Sequence, residues 1–266
     1  SVGRMFLGGI LPGLTAGLML MVGIYIVALW KGLPSQPWVG WGEVFRSASD
    51  AVWGLLLIVI ILGGIYSGIF TPTEAASVAV IYALVIGHFA YHELDFSKLV
   101  HCLKITAMIS GAVLIIVGPA KAFGELMSLM EVPTMIGDAL SDITENPFIL
   151  LMIISAILIF TGMFLESIAQ IILLTPLMLP IVVSLGIDPI VFGIIMVISC
   201  EVGFLTPPVG ANLFVAARIT NLGIDRISIA VIPFVVAYVV VLVIISAFPD
   251  IATFLPDFFY GKFPGS

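Results

Sequence analysis

The chain has 266 residues, of which 61% are hydrophobic and only 9% charged, and its mean hydropathy is +1.29. A soluble domain of this length cannot carry so little charge, so the composition defines an all-α polytopic membrane protein. The net charge of −7 excludes a nucleic-acid partner, and the two cysteines, Cys102 and Cys200, have neither metal nor disulfide spacing.

Apolar runs of about 20 residues mark the spans. Ser1 to Arg4 leads directly into the first, from Met5 to Trp30, and does not resemble a cleavable signal peptide. No Met opens the chain, which points to a portion of a longer polypeptide. Lys31-Gly32 and Pro34 end the first span. From Trp41, the residues Val44, Phe45, Ala48 and Val52 recur at helical spacing while Glu43, Arg46 and Asp50 fall elsewhere, which predicts a short interfacial helix. Trp30, Trp38, Trp41 and Trp53 form its aromatic belt. The second span runs from Ala51 to Ile69 and the third from Pro72 to Tyr91, joined by a tight turn. There Thr71 is the expected N-cap, Pro72 the first helical residue and Glu74 the reciprocal member of a capping box. A polar stretch at 92 to 104 precedes a fourth span, Ile105 to Met130, with an expected interruption near Gly118-Pro119. An acidic loop holding Glu131, Asp138, Asp142 and Glu145 follows.

Charge sets the orientation. Lys31, Arg46, Lys98, Lys104, Arg218 and Arg226 place their loops in the cytoplasm, so the acidic loop at 131 to 145 falls outside. The run from Pro147 to Leu185 is then a hairpin that enters from outside, turns near "TGMFLES" and returns. Pro189 to Ile219 crosses inward but is broken at "GFLTPPVGAN", and a last helix, Ile227 to Phe248, returns outward. Asp250, Asp257 and the aromatic residues Phe254, Phe258, Phe259 and Tyr260 remain at the outer interface.

Unpaired backbone groups cost several kcal/mol each in hydrocarbon, so a broken helix at membrane depth has to be buried in protein or line a polar cavity. A single Pro-Pro reads most simply as a packing kink; two breaks in consecutive segments favour a binding site. If the tip at 161 to 167 and the break at 203 to 212 meet, their freed carbonyls can surround a cation and opposing half-helix N-termini can receive an anion. Thr206, Ser167 and Asn212 add hard oxygen donors that suit Na⁺. Of the two intramembrane acids, Glu201 is read as bonding freed backbone groups, whereas for Glu166 function and structure weigh equally. His88, His92 and His101 lack a thiol or carboxylate partner set and read as interfacial residues, and Lys121 and Glu125 either pair with each other or line the aqueous side. No nucleophile–base pair marks an enzyme.

Three stretches carry a resemblance. "GGIYSGIFTPTEAASVAVIYAL" (63 to 84), "GMFLESIAQIILLTPLMLPIVVSLGIDPIVFGIIMV" (162 to 197) and "EVGFLTPPVGANLFVAA" (201 to 217) closely resemble the large membrane subunit of tripartite ATP-independent periplasmic (TRAP) transporters, and "LGGILPGL" (7 to 14) is similar to the segment closing its first half. The resemblance implies an ion-transporter-superfamily elevator fold with inverted repeats, here the second repeat plus the last helix of the first, with a re-entrant hairpin and a broken helix. On that pattern residues 1–50 hold the last helix of the first repeat and the interfacial helix, 51–146 the scaffold and arm helices of the second repeat, 147–220 the hairpin and unwound helix of the transport domain, and 221–266 the final transmembrane helix with a periplasmic C-terminus. The implied activity is Na⁺-coupled uptake of an organic acid, of the C4-dicarboxylate or sialic acid class, through the bacterial inner membrane. Na⁺ is the coupling ion and no other cofactor is implied. The implied partners are a periplasmic substrate-binding protein and a small membrane subunit, separate or fused. Carried over by motif, Gly162, Gly203, Thr206 and Val209 are the expected Na⁺ ligands, and Glu166, Ser167, Pro208 and Asn212 the expected substrate contacts. The family's matching first-repeat hairpin and Pro-Pro break have no counterpart here, so the chain alone is not expected to transport. The alternatives are a stand-alone Na⁺/dicarboxylate symporter that needs no binding protein, and a non-transporting membrane scaffold.

Overall fold

A computed structural model describes residues 1–34, 38–144 and 146–262, and every regular element among them is helical. The first half contains α1 (Val2–Lys31), α2 (Trp41–Asp50), α3 (Val52–Tyr66), α4 (Pro72–Val85) extended by a π-helical turn (Ile86–Ala90), α5 (Phe96–Leu129) and α6 (Val132–Ile143). The second contains α7 (Pro147–Gly162), α8 (Ser167–Ser184), α9 (Pro189–Phe204), α10 (Ala211–Thr220), α11 (Ile224–Ala247) and α12 (Asp250–Tyr260). Among the described residues five helices are long and apolar enough to cross a membrane, or six if the bent pair α2 and α3 counts as one span. α7, α9 and α10 are apolar but short, at 16, 16 and 10 residues. At 1.5 Å per residue none of the three reaches the roughly 30 Å of a hydrocarbon core.

The chain divides into two compact units, one of residues 33–111 with 1–3, the other of residues 4–32 with 112–266. In the first, α2 and α3 meet at a bend of 65°. α3 packs on α4 through a Tyr82 hydroxyl that donates to the Trp53 carbonyl at 2.7 Å. The turn between them passes through Gly68 at φ +73, a value that favours glycine, and folds Phe70 onto Gly64, where any Cβ would collide with the ring. The capping box is formed: Thr71 Oγ1 accepts from the Glu74 amide at 3.3 Å and Glu74 Oε2 accepts from the Thr71 amide at 2.8 Å.

The second unit is organised around α9, which packs against α7, α8, α10, α11 and α12. Its sequence is apolar on all sides, and Ile190, Val191, Phe192, Ile195, Met196, Cys200 and Val202 are all buried. Leu150, Ile154 and Leu158 of α7 and Val241, Leu242 and Ile245 of α11 complete the core. Proline opens both α7 and α9, behind Asn146 and Asp188, whose side-chain oxygens accept from the amides two residues on.

Several boundaries differ from those expected. α5 begins at Phe96 and runs unbroken through Gly118-Pro119, because one proline removes one ladder bond and the helix formers on either side carry the turn across it. The loop expected at 131 to 145 is largely α6: Val132, Ile136 and Ala139 have helical spacing, and Ile136 packs on the core while Gly137 faces Ile181 of α8. Glu145 and the side chain of Asp142 lie outside the described residues. The last long helix starts at Ile224, so Arg226 belongs to its first turn. The acids and aromatics beyond it form α12, where Asp257 meets Arg4 at 2.8 Å in the one ion pair among the described residues. Lys121 and Glu125 are exposed and do not pair.

Candidate functional site

The tip of the α7–α8 hairpin and the gap between α9 and α10 are built from helix ends. α7 closes at Gly162, and residues 163–166 turn the chain: the Phe164 and Leu165 amides both donate to the Thr161 carbonyl, at 3.1 and 2.9 Å. Glu166 caps α8, its Oε2 accepting from the Ile168 and Ala169 amides at 2.9 and 3.3 Å. α9 runs on to Phe204, so the break itself is shorter than expected, residues 205–210, leaving Gly203 in the last turn of α9 and Asn212 in the first turn of α10. Pro207 and Pro208, joined by a cis peptide bond, supply no amide to continue the ladder. Gly210, at φ +55, re-aims the chain into α10, whose first turn has no side-chain cap.

Tip and break meet. The Gly210 amide donates to the Met163 carbonyl at 3.4 Å. Beside it, Gly162 and Gly203 bring α7 and α9 into backbone contact: a Cβ on Gly203 would lie 2.6 Å from the Gly162 carbonyl carbon and 2.9 Å from the Ile159 oxygen. A cavity of about 160 Å³ opens between the two segments, lined by Gly162, Met163, Phe164, Leu165, Glu166, Phe204, Val209 and Ala211.

The electrostatics follow from which ends converge. α7 and α9 both present their C-termini, where carbonyls carry partial negative charge, and α10 presents its N-terminus. Among the described residues, the carbonyls of Gly162, Thr206 and Val209 accept no hydrogen bond, whereas that of Gly203 accepts from the Thr206 amide at 3.0 Å. Thr206 Oγ1 commits its hydrogen to the Val202 carbonyl at 2.6 Å, so the lone pairs it has left can only accept. No Lys or Arg occurs between Lys121 and Arg218. The carbonyl and hydroxyl oxygens here are hard and uncharged, the Glu166 carboxylate beside them accepts from the α8 amides, and no fixed cation balances them, a set that fits a small alkali ion better than a transition metal.

All eight residues singled out in the sequence lie on these two segments. Gly162 and Gly203 are buried, Thr206 is half-buried, and Val209 and Pro208 are exposed at the break. Ser167 opens α8 with its hydroxyl buried and without a partner among the described residues, and Asn212 is exposed. Of the two half-helix N-termini, the amides of α8 are occupied by the Glu166 carboxylate and those of α10 remain uncapped. Glu201 is exposed and its carboxylate bonds no backbone group among the described residues. His88 and His92 place Nδ1 at 3.0 and 3.1 Å from the carbonyls of Leu94 and His88. The spacing of motifs does not single out Gln170, although a lone amide inside an 18-residue apolar helix is a readable signal; it is fully buried at the base of the tip.

Two helix interruptions that meet beside a packed apolar helical core are a feature found at the binding sites of membrane transporters. Residues 1–251 match the family described as Tripartite ATP-independent periplasmic transporter, DctM component. The chain is similar to the C4-dicarboxylate TRAP transporter large permease protein DctM of Vibrio cholerae, with 40% identity over 98% of this chain and 62% of the relative. It is also similar to the isethionate TRAP transporter permease protein DctMQ of Oleidesulfovibrio alaskensis (41% identity, 98% of this chain, 41% of the relative) and to the sialic acid TRAP transporter large permease protein SiaM of Vibrio cholerae (36%, 98% and 61%). The chain therefore belongs to the DctM family, a family of transporter permeases rather than enzymes. It spans about three fifths of the length of the C4-dicarboxylate and sialic acid relatives.

Proposed function

We propose that this chain carries the cation-binding half of a Na⁺-coupled organic-acid uptake system of the bacterial inner membrane. Na⁺ is bound between the α7–α8 tip and the α9–α10 break by oxygens of Gly162, Gly203, Thr206 and Val209. The anionic substrate, a C4-dicarboxylate or sialic-acid-like molecule, is received beside it by Ser167, Asn212 and the backbone around Pro208, with Glu166 holding the tip in shape. A periplasmic binding protein delivers the substrate and a small membrane subunit, separate or fused, completes the complex. The tip and break move together as the transport body of an elevator, and the C-terminus faces the periplasm.

The observation that carries the reading is the convergence of two helix C-termini with unbonded carbonyls in a region lacking any cationic side chain. The names of the relatives support the substrate class. The experiment is Na⁺-driven uptake of a labelled C4-dicarboxylate or sialic acid in proteoliposomes containing the complete membrane complex and its binding protein. Uptake requires a Na⁺ gradient, and Thr206→Ala raises the Na⁺ concentration for half-maximal rate by about tenfold, the loss of one half-buried polar ligand. Uptake that K⁺ supports equally, or a Thr206→Ala variant with unchanged Na⁺ dependence, rules out the sodium assignment. Uptake that persists without the binding protein would favour a stand-alone symporter.

A further inference from the structure

Gln170 sits on the first turns of α8 and is fully buried. Its Nε2 donates to the Leu158 carbonyl at 2.6 Å and to Thr161 Oγ1 at 2.9 Å, tying α8 to the last turn of α7. Thr161 Oγ1 in turn donates to the carbonyls of Ile157 and Leu158 at 2.9 and 3.1 Å, so it can only accept from Gln170. The Leu158 carbonyl can only accept, so a flipped amide would set oxygen against oxygen there, which assigns the nitrogen to that contact. The Oε1 atom is therefore left facing the end of α7 at Gly162. It is buried with no hydrogen-bond partner among the described residues, and it lies 3.0 Å from where a Cβ on Gly162 would stand. The Gly203 Cα and the Cys200 carbonyl oxygen approach the same point at 3.3 and 3.4 Å. An acceptor with no donor, at the crossing of two helix C-termini, adds to the unbalanced negative potential there.

We propose that Gln170 is a positioning residue that sets the cation affinity and selectivity of the tip. Its nitrogen fixes the register of α7's final carbonyls, and its bare oxygen faces the Gly162–Gly203 crossing as a further buried acceptor. This inference rests on the sodium reading above. Displacing the α7 end changes both how strongly the oxygens hold a cation and the size of the space they enclose. Ions of different radius therefore respond unequally, which loss of fold stability alone does not produce.

The test uses the complete membrane complex. Thermal unfolding is followed against NaCl and against LiCl at constant ionic strength, for wild type, Gln170→Met and Thr161→Val. Gln170→Met preserves length and apolar packing but removes both ends of the amide; Thr161→Val removes one latch bond and leaves Gln170 in place. The half-saturating Na⁺ concentration rises about tenfold in Gln170→Met and about threefold in Thr161→Val, and the Li⁺/Na⁺ preference shifts in both. A folded Gln170→Met with unchanged Na⁺ half-saturation and unchanged Li⁺/Na⁺ preference overturns the proposal. If Gln170→Met does not fold, an unshifted Thr161→Val overturns it. A wild type indifferent to Na⁺ removes the sodium reading and this one with it, whereas a responsive wild type with unshifted variants removes only the role of Gln170.

Discussion

Gly203→Ala is the most economical perturbation of the site, because it adds a single carbon where two helices touch. The new Cβ would lie 2.6 and 2.7 Å from the carbonyl carbon and Cα of Gly162 and 2.9 Å from the Ile159 oxygen. All three are backbone atoms, so no rotamer change can relieve the contact. To reach ordinary contact, α7 has to withdraw from α9 by roughly 0.8 Å, an overpacking that costs about 1–3 kcal/mol. For a unit of this size that corresponds to a fall in unfolding temperature of roughly 3–10 °C. The same withdrawal pulls the Gly162 carbonyl away from the break, so on the proposed reading the stabilisation conferred by Na⁺ falls together with the baseline. Gly13→Ala is the matched control, since nothing lies within 4 Å of a Cβ there. Thermal unfolding of the purified complex, with and without Na⁺, measures both quantities. A Gly203→Ala protein with the melting behaviour of Gly13→Ala would show that α7 and α9 are not in backbone contact, and the geometry of the site would have to be abandoned.

Two further outcomes follow from the same geometry. Glu166→Ala removes the cap of α8 and costs about 1 kcal/mol locally, read as faster amide exchange at Ile168 and Ala169; unchanged rates there would mean that the carboxylate does not cap the helix. The ligands proposed for Na⁺ are carbonyls and one hydroxyl, none of which titrates near neutrality, so the half-saturating Na⁺ concentration stays within about twofold between pH 6 and 8. A tenfold rise for each unit of falling pH would instead identify a proton competing at a carboxylate.

What was legible in the sequence was what local chemistry decides. Thr71, Pro72 and Glu74 specify a helix start within four residues, and the structure forms that box. The break at Pro207-Pro208 was legible because two consecutive prolines supply no amides to a helix, and the tip at Gly162 because the run from Pro147 to Leu185 is too long for one span. α6 was obscured because its acids stand out more strongly than its helical spacing, and α12 because a proline and two aspartates suggest an irregular tail. The Arg4–Asp257 pair joins residues 253 apart, and the Gln170 latch depends on which turn of α7 its amide reaches. Such contacts are set by tertiary packing, which no local spacing encodes. The Gly162–Gly203 contact lies between these cases, because each glycine was conspicuous alone but only the crossing of α7 and α9 gives them a shared purpose.

The placement of opposite helix ends bears on how two solutes can be coupled. The C-termini of α7 and α9 favour a cation, and the uncapped N-terminus of α10 favours an anion. The Gly210–Met163 hydrogen bond puts these two preferences on neighbouring residues of one cavity. On the proposed reading, a bound Na⁺ lowers the cost of bringing a carboxylate beside the uncapped amides, and linkage requires the carboxylate to strengthen Na⁺ binding by the same factor. A coupling of about 1–3 kcal/mol, typical of adjacent sites, would raise substrate affinity roughly 5- to 150-fold when Na⁺ is bound. A continuous helix could not supply this, because its end charges would lie at the two membrane surfaces; interrupting it brings them to the same depth. On the proposed reading, the proline pair at 207–208 is the sequence feature on which coupling depends, and the glycines at 162, 203 and 210 allow the other helix ends to reach it.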